Sequence, residues 1–526
     1  MSDYNFLMES RLSPEQYAVL GLMSRLAVEQ GLNLYLVGGA VRDLTYGQQV
    51  VRDLDFAVEG SPQKILRSLP GAEDGKPRRS GQGAGADLAF TAEYQVYDDL
   101  LNAAELRFSN GVRAELGMCR EEFYPRPGQR PEVRPATIFE DLKRRDLAIN
   151  AMAVSLHPNS RGLLLDPTNG AGDIERRELR ALSSHSFTDD PSRIYRLLRL
   201  GLRLDFKPDE RTQRWLVAAL DSHAWEHLDS NQQARELAAI LYEDHPERVF
   251  KLLADREILA GLDKKLASVH IPYDRLARIH SVLQNVSGAD PLLLNFHCLA
   301  EKLGSEATGR LAKRIIGDSK AIKLMLSFDR DAGKLERLLS SSKAEIPSHV
   351  YALLSPQPQP LLLFLLAHSS RIKVQNRIKN YLFKFPLIRA SLPRTELQSL
   401  GIKPGPEFDR ILEQIFALQL DGKIKSHQQL MKELRALAGI KEPPPPPIHP
   451  PKKTKETAPA SQPAKKGKEA ATATPPHPPK KGKEAAKTLQ PAGSAKPAAP
   501  VATKPAKPAG QQPKPVPKQA KKAHKP

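Results

Sequence analysis

The chain has 526 residues, more than a single hydrophobic core usually supports, so its length predicts about two to four domains. Its 79 Lys and Arg against 60 Asp and Glu give a formal charge of +19, and its two cysteines exclude both a disulfide-rich scaffold and a four-cysteine zinc site. The cysteine usage, the lack of a visible signal peptide and the lack of an apolar run near the roughly 20 residues that span a bilayer predict a cytoplasmic protein with no membrane partner.

Most of the positive charge lies in residues 441–526. This segment holds 19 Lys, no Arg and 4 Glu, so its net charge is +15 and only +4 remains for residues 1–440. It also contains 22 of the 45 prolines and no aromatic residue, and it cannot bury enough apolar surface to offset the entropy lost on folding. We therefore expect a disordered Lys-, Pro- and Ala-rich tail.

The first part of the chain mixes strand and helix patterns. Apolar spacing predicts a helix, a short strand ended by two glycines, a one- or two-turn helix and a second strand, over 13–30, 34–37, 40–46 and 54–58. A loop rich in Gly and charge follows at 71–86, and we expect it to be mobile. Segments 104–108 and 112–118 flank Ser109-Asn110-Gly111, which is a strong hairpin signal. These patterns predict an α+β domain with an antiparallel or mixed sheet.

From about residue 170 the periodicity is helical. Asp189-Asp190-Pro191 predicts one helix start, with an Asp cap followed by an acid and a proline in the first turn. Further helices are predicted over 208–220, 231–241, 246–254, 274–286, 308–328, 361–384, 407–418 and 426–438.

The most informative segment for chemistry lies around the two predicted strands. Asp53 and Asp55 alternate on a strand, so both carboxylates face one side. Two acids so close repel unless a cation lies between them, and Mg²⁺ is the usual cation in nucleotidyl transfer. Gly38 and Gly39 allow backbone N–H groups to approach phosphate, and Arg42 can add a bidentate contact. The Asp-x-Asp pattern alone is common and indicates little.

In this order and spacing, GGAVRD (38–43) and RDLDFAV (52–58) resemble the head signature of the class II tRNA nucleotidyltransferase and poly(A) polymerase family. The segment RAELGMCREEFYPRPG (113–128) is similar to the strand and loop that deliver the family's third carboxylate, commonly an Asp. Here that position is Glu115, whose side chain is one methylene longer.

Two further segments extend the resemblance. EDLKRRDLAINAMAV (140–154) is similar to the family's next block, which implies that an arginine of Arg144-Arg145 contacts the nucleotide and that Asp146 and Asn150 brace the site. DPTNGAGDIERRELR (166–180) resembles the Asp-Pro-Gly-Gly element that joins head to neck.

The segment DDPSRIYRLLR (189–199) carries a candidate for base selection. Asp190 and Arg193 are three residues apart on a predicted helix, so they can face one base edge. An Asp accepts from the exocyclic amine of cytosine or adenine, and such a paired contact is worth roughly 1–3 kcal/mol of discrimination against other bases. The resemblance implies this role, and Arg196 and Arg199 continue the same ridge towards phosphate or RNA. The alternative is a solvated basic helix face.

One segment departs from the family pattern. The family usually has Glu-Arg and then Glu-Leu at the end of the neck, whereas this chain has Asn231-Gln232 followed by Glu236 and Leu237. In the family that element supports the base-reading helix, so the resemblance implies that the change bears on nucleotide switching more than on catalysis. Residues 397–431 again resemble the C-terminal module of longer bacterial members.

Taken with the resemblance, the sequence predicts a palm-like nucleotidyltransferase head, an all-α neck, a helical tRNA-binding body and a disordered tail, over 1–165, 166–245, 246–440 and 441–526. The implied activity is Mg²⁺-dependent addition of C, A or both from CTP and ATP to the 3′ end of tRNA. Asp53, Asp55 and Glu115 are its implied catalytic residues. Three alternatives remain: a poly(A) polymerase, an enzyme that adds only CC or only A, and a non-catalytic RNA-binding protein on a decayed head. An Arg-Arg-Phe-Arg-Leu type stretch, typical of bacterial poly(A) polymerases, is missing between 60 and 110.

Deletion of residues 441–526 is expected to weaken RNA binding and to flatten its dependence on salt, because the 19 lysines attract phosphate without fixed geometry. Turnover at saturating tRNA should stay near that of the full chain, since such a segment cannot position a 3′ end. The alternative is a spacer or solubility tail. Identical slopes of log K against log salt for the two proteins would mean that the tail does not touch RNA, and a collapse of saturated turnover would mean that it does more than tether.

Overall fold

The computed structural model describes residues 3–48, 51–70, 72–73, 76–77, 90–286 and 289–440. The described residues belong to the first compact unit of the chain, Met1–Pro444. The expected disordered tail and most of the expected mobile loop at 71–86 lie outside the described residues. The first unit is not divided further, so the boundaries of head, neck and body at 165 and 245 stay predictions.

The head is built on a mixed sheet, and short strands also occur elsewhere in the described chain. The strands are β1 Asn33–Val37, β2 Leu54–Glu59, β3 Ala72–Glu73, β4 Lys76–Pro77, β5 Ala92–Asp98, β6 Ala103–Phe108, β7 Arg113–Met118, β8 Arg120–Phe123, β9 Glu132–Pro135, β10 Ala153–Ser155, β11 Leu164–Leu165, β12 Glu178–Leu179 and β13 Lys207–Pro208. Seven of them form one sheet in the order β11-β10-β1-β2-β7-β6-β5. Only β2 and β7 run parallel in it; the other neighbours are antiparallel. The predicted α+β class and the predicted hairpin, β6–β7, are confirmed.

Helices of the head contact this sheet, and helices dominate the described chain that follows it. In the head they are α1 Tyr4–Arg11, α2 Pro14–Glu29, α3 Gly38–Tyr46, α4 Pro62–Leu66 and α5 Ile138–Lys143, and at the start of the neck α6 Gly170–Arg176. The neck continues with α7 Ser186–Asp189, α8 Ser192–Leu204, α9 Glu210–Asp221 and α10 Ser230–Leu241. The body has α11 Pro246–Asp255, α12 Tyr273–Leu283, α13 Leu292–Leu303, α14 Ser305–Ile315, α15 Ser319–Leu326, α16 Phe328–Ser340, α17 Pro347–Leu354, α18 Gln359–His368, α19 Ile372–Lys379, α20 Phe385–Ala390, α21 Arg394–Ser399, α22 Pro406–Leu420 and α23 His427–Leu437.

Two long helix predictions were wrong in extent. The predicted helix over 308–328 is divided between α14 and α15 at Gly317, whose φ of +72° is left-handed and ends the first helix. The predicted helix over 361–384 is broken after His368, where Ser369 is extended. In both places apolar spacing continues across the break, so a prediction from periodicity alone gives one helix where the structure has two.

The starts of two other helices also differ from prediction. Helix α3 begins at Gly38 rather than at Ala40, so the two glycines belong to its first turn. Asp189 is the last residue of α7 rather than the cap of the next helix. Asp190 follows in an extended conformation, and its carboxylate accepts the N–H of Ser192 at the start of α8.

The neck is joined to the head by a buried carboxylate. Glu243, just after α10, is 4% exposed and accepts hydrogen bonds from Arg199 at 2.7 Å and from the Nε of Arg203 at 2.8 Å. Arg52, which precedes β2 in the head, also reaches it at 3.5 Å. Burial raises the pKa of Glu243, but its hydrogen bond to Arg203 and the charges of the three arginines outweigh burial and lower the pKa to about 2.

Glu243→Gln is expected to destabilise the protein by about 3 kcal/mol at neutral pH, because three arginines lose their buried counter-charge. The depressed pKa means that this stabilisation is present above the unfolded value of about 4.5 and is lost as the pH falls towards 2. Urea unfolding at pH 7 and pH 3 measures it, and the difference between the two proteins should shrink at pH 3. Asp244→Asn is the matched control: Asp244 is exposed and its ion pair in the described part of the chain is with Arg52, so the change should cost less than about 1 kcal/mol.

Both cysteines, Cys119 and Cys298, are buried and free.

Among the described residues, no single helix has the length and apolar composition needed to cross a membrane. Helices α17 and α18 meet those criteria only when taken together, and they are bent by 117°.

Candidate active site

The predicted carboxylates meet on one face of the sheet. Asp55 lies opposite Glu115 across the parallel pair β2–β7, and Glu115 lies opposite Glu105 across the hairpin β6–β7. Register partners point to the same face, so these three form a row, which we call the acidic row. Asp53 lies just before the first residue of β2, close enough for its negative charge to raise the pKa of Asp55. The structure thus brings Asp53, Asp55 and Glu115 together, as the sequence predicted.

Glu105 is a member of the acidic row that the sequence reasoning missed. The signal was present: the predicted hairpin turns about Asn110, and a symmetric register places residue 105 opposite residue 115. Two like charges directly opposite each other destabilise a hairpin unless something compensates them.

The pKa of Asp55 is well above that of an ordinary aspartate. Burial raises its pKa, and the negative charges of Glu115 and Asp53 raise it further, against the lowering effects of Arg145 and of the Gly39 N–H; the result is about 7. The site therefore holds more negative charge than it can stabilise alone. Hard carboxylate oxygens with excess negative charge fit a divalent metal ion.

Arg113 is the present partner of Asp53. Its Nε lies 2.9 Å from Asp53 Oδ1, and its guanidinium lies 4.8 Å from the centre of the Tyr242 ring. In the described residues, the one trio of His, Cys, Asp or Glu ligand atoms within 4.8 Å of each other is elsewhere, at His297, Glu301 and Asp329. Arg113 thus engages Oδ1 of Asp53, one of the two oxygens of that carboxylate.

Gly38 is required by close approach as well as by conformation. Its φ is +67°, and a Cβ atom there would lie 3.1 Å from Asp55 Oδ2 and 3.2 Å from Arg145 Nη1. The Gly38 N–H donates to the Met152 carbonyl, and the Gly39 N–H bonds Asp55. The two glycines thus seat the end of β1 against Asp55, and their predicted contact with the triphosphate stays a prediction.

The three arginines predicted to bind nucleotide in the head line the same cavity and hold internal partners. Arg42 is buried and donates to Asp43 and Asn150, both at 2.8 Å. Arg144 and Arg145 share the carboxylate of Asp141. Burial raises the pKa of Asp141, but these two arginines outweigh it and lower the pKa to about 2.

The base-reading pair of the sequence prediction, Asp190 and Arg193, is assembled at the start of α8. Arg193 Nε lies 3.6 Å from Asp190 Oδ2. Its Nη1 donates to Ser186 Oγ at 3.0 Å and its Nη2 to the Arg144 carbonyl at 3.2 Å. Arg193 is 8% exposed, so these contacts fix the guanidinium between neck and head.

The other two predicted arginines of α8 are held by carboxylates. Arg196 bonds Asp146 at 2.9 Å and Glu236 at 3.4 Å, and Arg199 bonds Glu243. Burial raises the pKa of Asp146, but Arg196 and Arg193 outweigh it and lower the pKa to about 2. Asp146 therefore holds Arg196 of α8, whereas its bracing role and the contacts of Arg196 and Arg199 with nucleotide stay predictions.

The head and neck components line one cavity of about 1670 Å³. Its wall includes the acidic row, Asp53, Asp190 and Arg193. The cavity therefore offers two chemistries together: oxygen ligands for a metal ion, and an acceptor and donor that can pair with a base edge.

The chain is similar to known proteins that act on tRNA or carry a poly A polymerase head domain. Residues 34–180 match the family model described as the poly A polymerase head domain. The chain is 27% identical over 440 residues to the A-adding tRNA nucleotidyltransferase of Halalkalibacterium halodurans, covering 83% of this chain and 96% of that protein. It is 30% identical over 430 residues to the CC-adding tRNA nucleotidyltransferase of Deinococcus radiodurans, covering 82% and 96%. A solved structure, the Thermotoga maritima CCA-adding enzyme complexed with tRNA, is 26% identical, with 83% of this chain and 98% of that chain covered and a TM-score of 0.40.

Proposed function

Because the chain belongs to the tRNA nucleotidyltransferase family, we propose that it adds C, A or both, from CTP and ATP, to the 3′ end of tRNA without a nucleic-acid template. The observation that carries the proposal is the single cavity lined both by Asp53, Asp55 and Glu115 and by the base-reading pair. The 3′-terminal hydroxyl attacks the α-phosphorus of the nucleotide, a new P–O bond forms, and pyrophosphate leaves.

Enzymes of this family are metal-dependent, and Mg²⁺ is the metal we propose for this chain. Asp53 and Asp55 are its proposed ligands, with Glu115 alongside; the excess negative charge that raises the pKa of Asp55 supports the assignment. When bound, Mg²⁺ supplies charge neutralisation at the reacting phosphate and a lowered pKa of the attacking hydroxyl. The chain itself positions these carboxylates by strand register, through Asp55 opposite Glu115.

Selection of the nucleotide is assigned to the neck. Asp190 can accept a hydrogen bond from the N4 amine of cytosine or the N6 amine of adenine, and Arg193 can donate to a ring nitrogen or carbonyl. Uracil and guanine present a carbonyl where Asp190 needs a donor, so both are disfavoured. Gly38, Gly39, Arg42, Arg144 and Arg145 are the candidates for the triphosphate, since all of them line the cavity.

The test uses tRNA transcripts that lack the last one, two or three nucleotides, incubated with all four nucleoside triphosphates, and sequences the products. Addition that stops after CC, after A or after CCA supports the proposal and assigns the activity within the family. Long adenylate tails on any RNA would favour a poly(A) polymerase. Binding of tRNA without any addition would favour a non-catalytic protein.

A further inference from the structure

We propose that Gln232 sets the base selectivity of this site by fixing which oxygen of Asp190 is presented to the nucleotide. The proposal rests on the proposed function, in which Asp190 reads the base. It assigns Gln232 a positioning role, exerted through Asp190 rather than by contact with the reacting atoms.

The orientation of the Gln232 amide is determined by its two partners. Its Oε1 accepts the backbone N–H of Asp229 at 3.0 Å, which closes the capping box at the start of α10. Its Nε2 donates to Asp190 Oδ1 at 3.0 Å. A flipped amide would set its NH₂ against the Asp229 N–H and its oxygen against the Asp190 carboxylate, so only one orientation satisfies both contacts.

The two oxygens of Asp190 have unequal surroundings. Oδ1 accepts from Ser192 N at 3.1 Å, from Ser192 Oγ at 2.6 Å and from Gln232 Nε2. Oδ2 faces Arg193 Nε at 3.6 Å. Oδ1 therefore has three donors, and Oδ2 is the oxygen with capacity for an exocyclic amine beside the Arg193 guanidinium.

Gln232 and Ser192 both donate to Asp190, but they lie on different elements of the neck. Ser192 belongs to the same turn as Asp190 and moves with it, whereas Gln232 lies on α10, 42 residues further along the chain. It is the contact that fixes the Asp190 carboxylate relative to the facing helix of the neck. Its amide is neutral, so it orients the carboxylate without a cation that would compete with Arg193 for Asp190.

Gln232→Glu separates positioning from helix capping. A glutamate retains an oxygen for the Asp229 N–H, since Glu is itself a usual capping-box residue, but it replaces the donor to Asp190 by a like charge. Gln232→Ala removes both contacts. Gln233→Glu is the matched control, because it makes the same charge change one residue away at a side chain that does not line the cavity.

The experiment measures equilibrium dissociation constants of CTP, ATP, UTP and GTP for the four full-length proteins in Mg²⁺, and kcat and KM for transfer to tRNA. We expect Gln232→Glu to lose about tenfold in the preference for the favoured nucleotide over UTP and GTP, mainly through Kd and KM, with Gln233→Glu unchanged. Wild-type selectivity in Gln232→Glu, together with a lowered Tm in Gln232→Ala alone, would overturn the proposal and leave Gln232 as a cap. Failure of the wild type to extend tRNA would refute the proposed function, whereas the nucleotide Kd ratios decide the role of Gln232 without tRNA.

Discussion

Asp53→Asn and Asp55→Asn are each expected to lower nucleotide transfer by at least about a thousandfold while the protein stays folded. Each change removes one of the two carboxylates proposed to hold Mg²⁺, and metal-ion stabilisation of the reacting charges is worth several kcal/mol. Neither residue is a packing residue: the Asp53 side chain is 46% exposed, and Asp55 carries a charge that its surroundings disfavour. Transfer is measured at saturating tRNA and nucleotide, with Glu121→Gln, an exposed acid outside the cavity, as the control. Substantial residual activity in either variant would refute the metal-ligand assignment.

The same Asp55→Asn variant also tests the electrostatics of the acidic row. The pKa of Asp55, about 7 in the folded protein, lies above its ordinary value of 3.8. Between these values the folded state binds more protons than the unfolded chain, so Asp55 lowers stability increasingly as the pH rises from about 4 to 7. In a chelator, the variant is therefore expected to gain melting temperature relative to the wild type at pH 8 more than at pH 5. An equal difference at both pH values would mean that the pKa is not raised.

Asp190→Ala is expected to relax base selection by about ten- to a hundredfold while the favoured nucleotide is still incorporated. The substitution removes the acceptor for the exocyclic amine, a contact worth roughly 1–3 kcal/mol, and leaves the carboxylates of the head in place. It also removes the hydrogen bond to the Ser192 N–H, which costs about 1 kcal/mol of stability.

The readout for Asp190→Ala is the relative incorporation of all four nucleotides into one tRNA substrate. Asp189→Ala is the matched control, because Asp189 is the neighbouring acid, ends α7 and does not line the cavity. An unchanged preference for C or A in Asp190→Ala would mean that Asp190 does not read the base and acts only at the start of α8, where it accepts the Ser192 N–H.

The parts of the site that the sequence predicted depend on local geometry. Asp55 lies on β2 and Asp53 just before it, two residues apart as on a strand, and Gly38 follows the end of β1 with a positive φ. The turn at Asn110-Gly111 also sets the pairing of β6 with β7, which places Glu105 opposite Glu115. Each of these features depends on a few neighbouring residues, so a short stretch of sequence is enough to predict it.

The missed contacts depend on how distant helices pack. Gln232 reaches Asp190 across 42 residues, and Glu243 reaches Arg199 across 44. No periodicity in the sequence specifies which residues of two neck helices face each other. For the same reason the sequence did not show that Arg196 and Arg199 pair with the buried carboxylates of Asp146 and Glu243. Their contact with nucleotide or RNA stays a prediction.

The central claim is that one cavity carries both metal-dependent transfer and base selection at a tRNA 3′ end. Its most direct test counts the nucleotides that the full-length protein adds from labelled CTP and ATP to a tRNA transcript lacking its last three nucleotides and to the same transcript ending in CC. We predict that addition stops at or before CCA, requires Mg²⁺, and is lost in Asp55→Asn. Addition that persists in a chelator or in Asp55→Asn, or that continues without limit, would contradict the account.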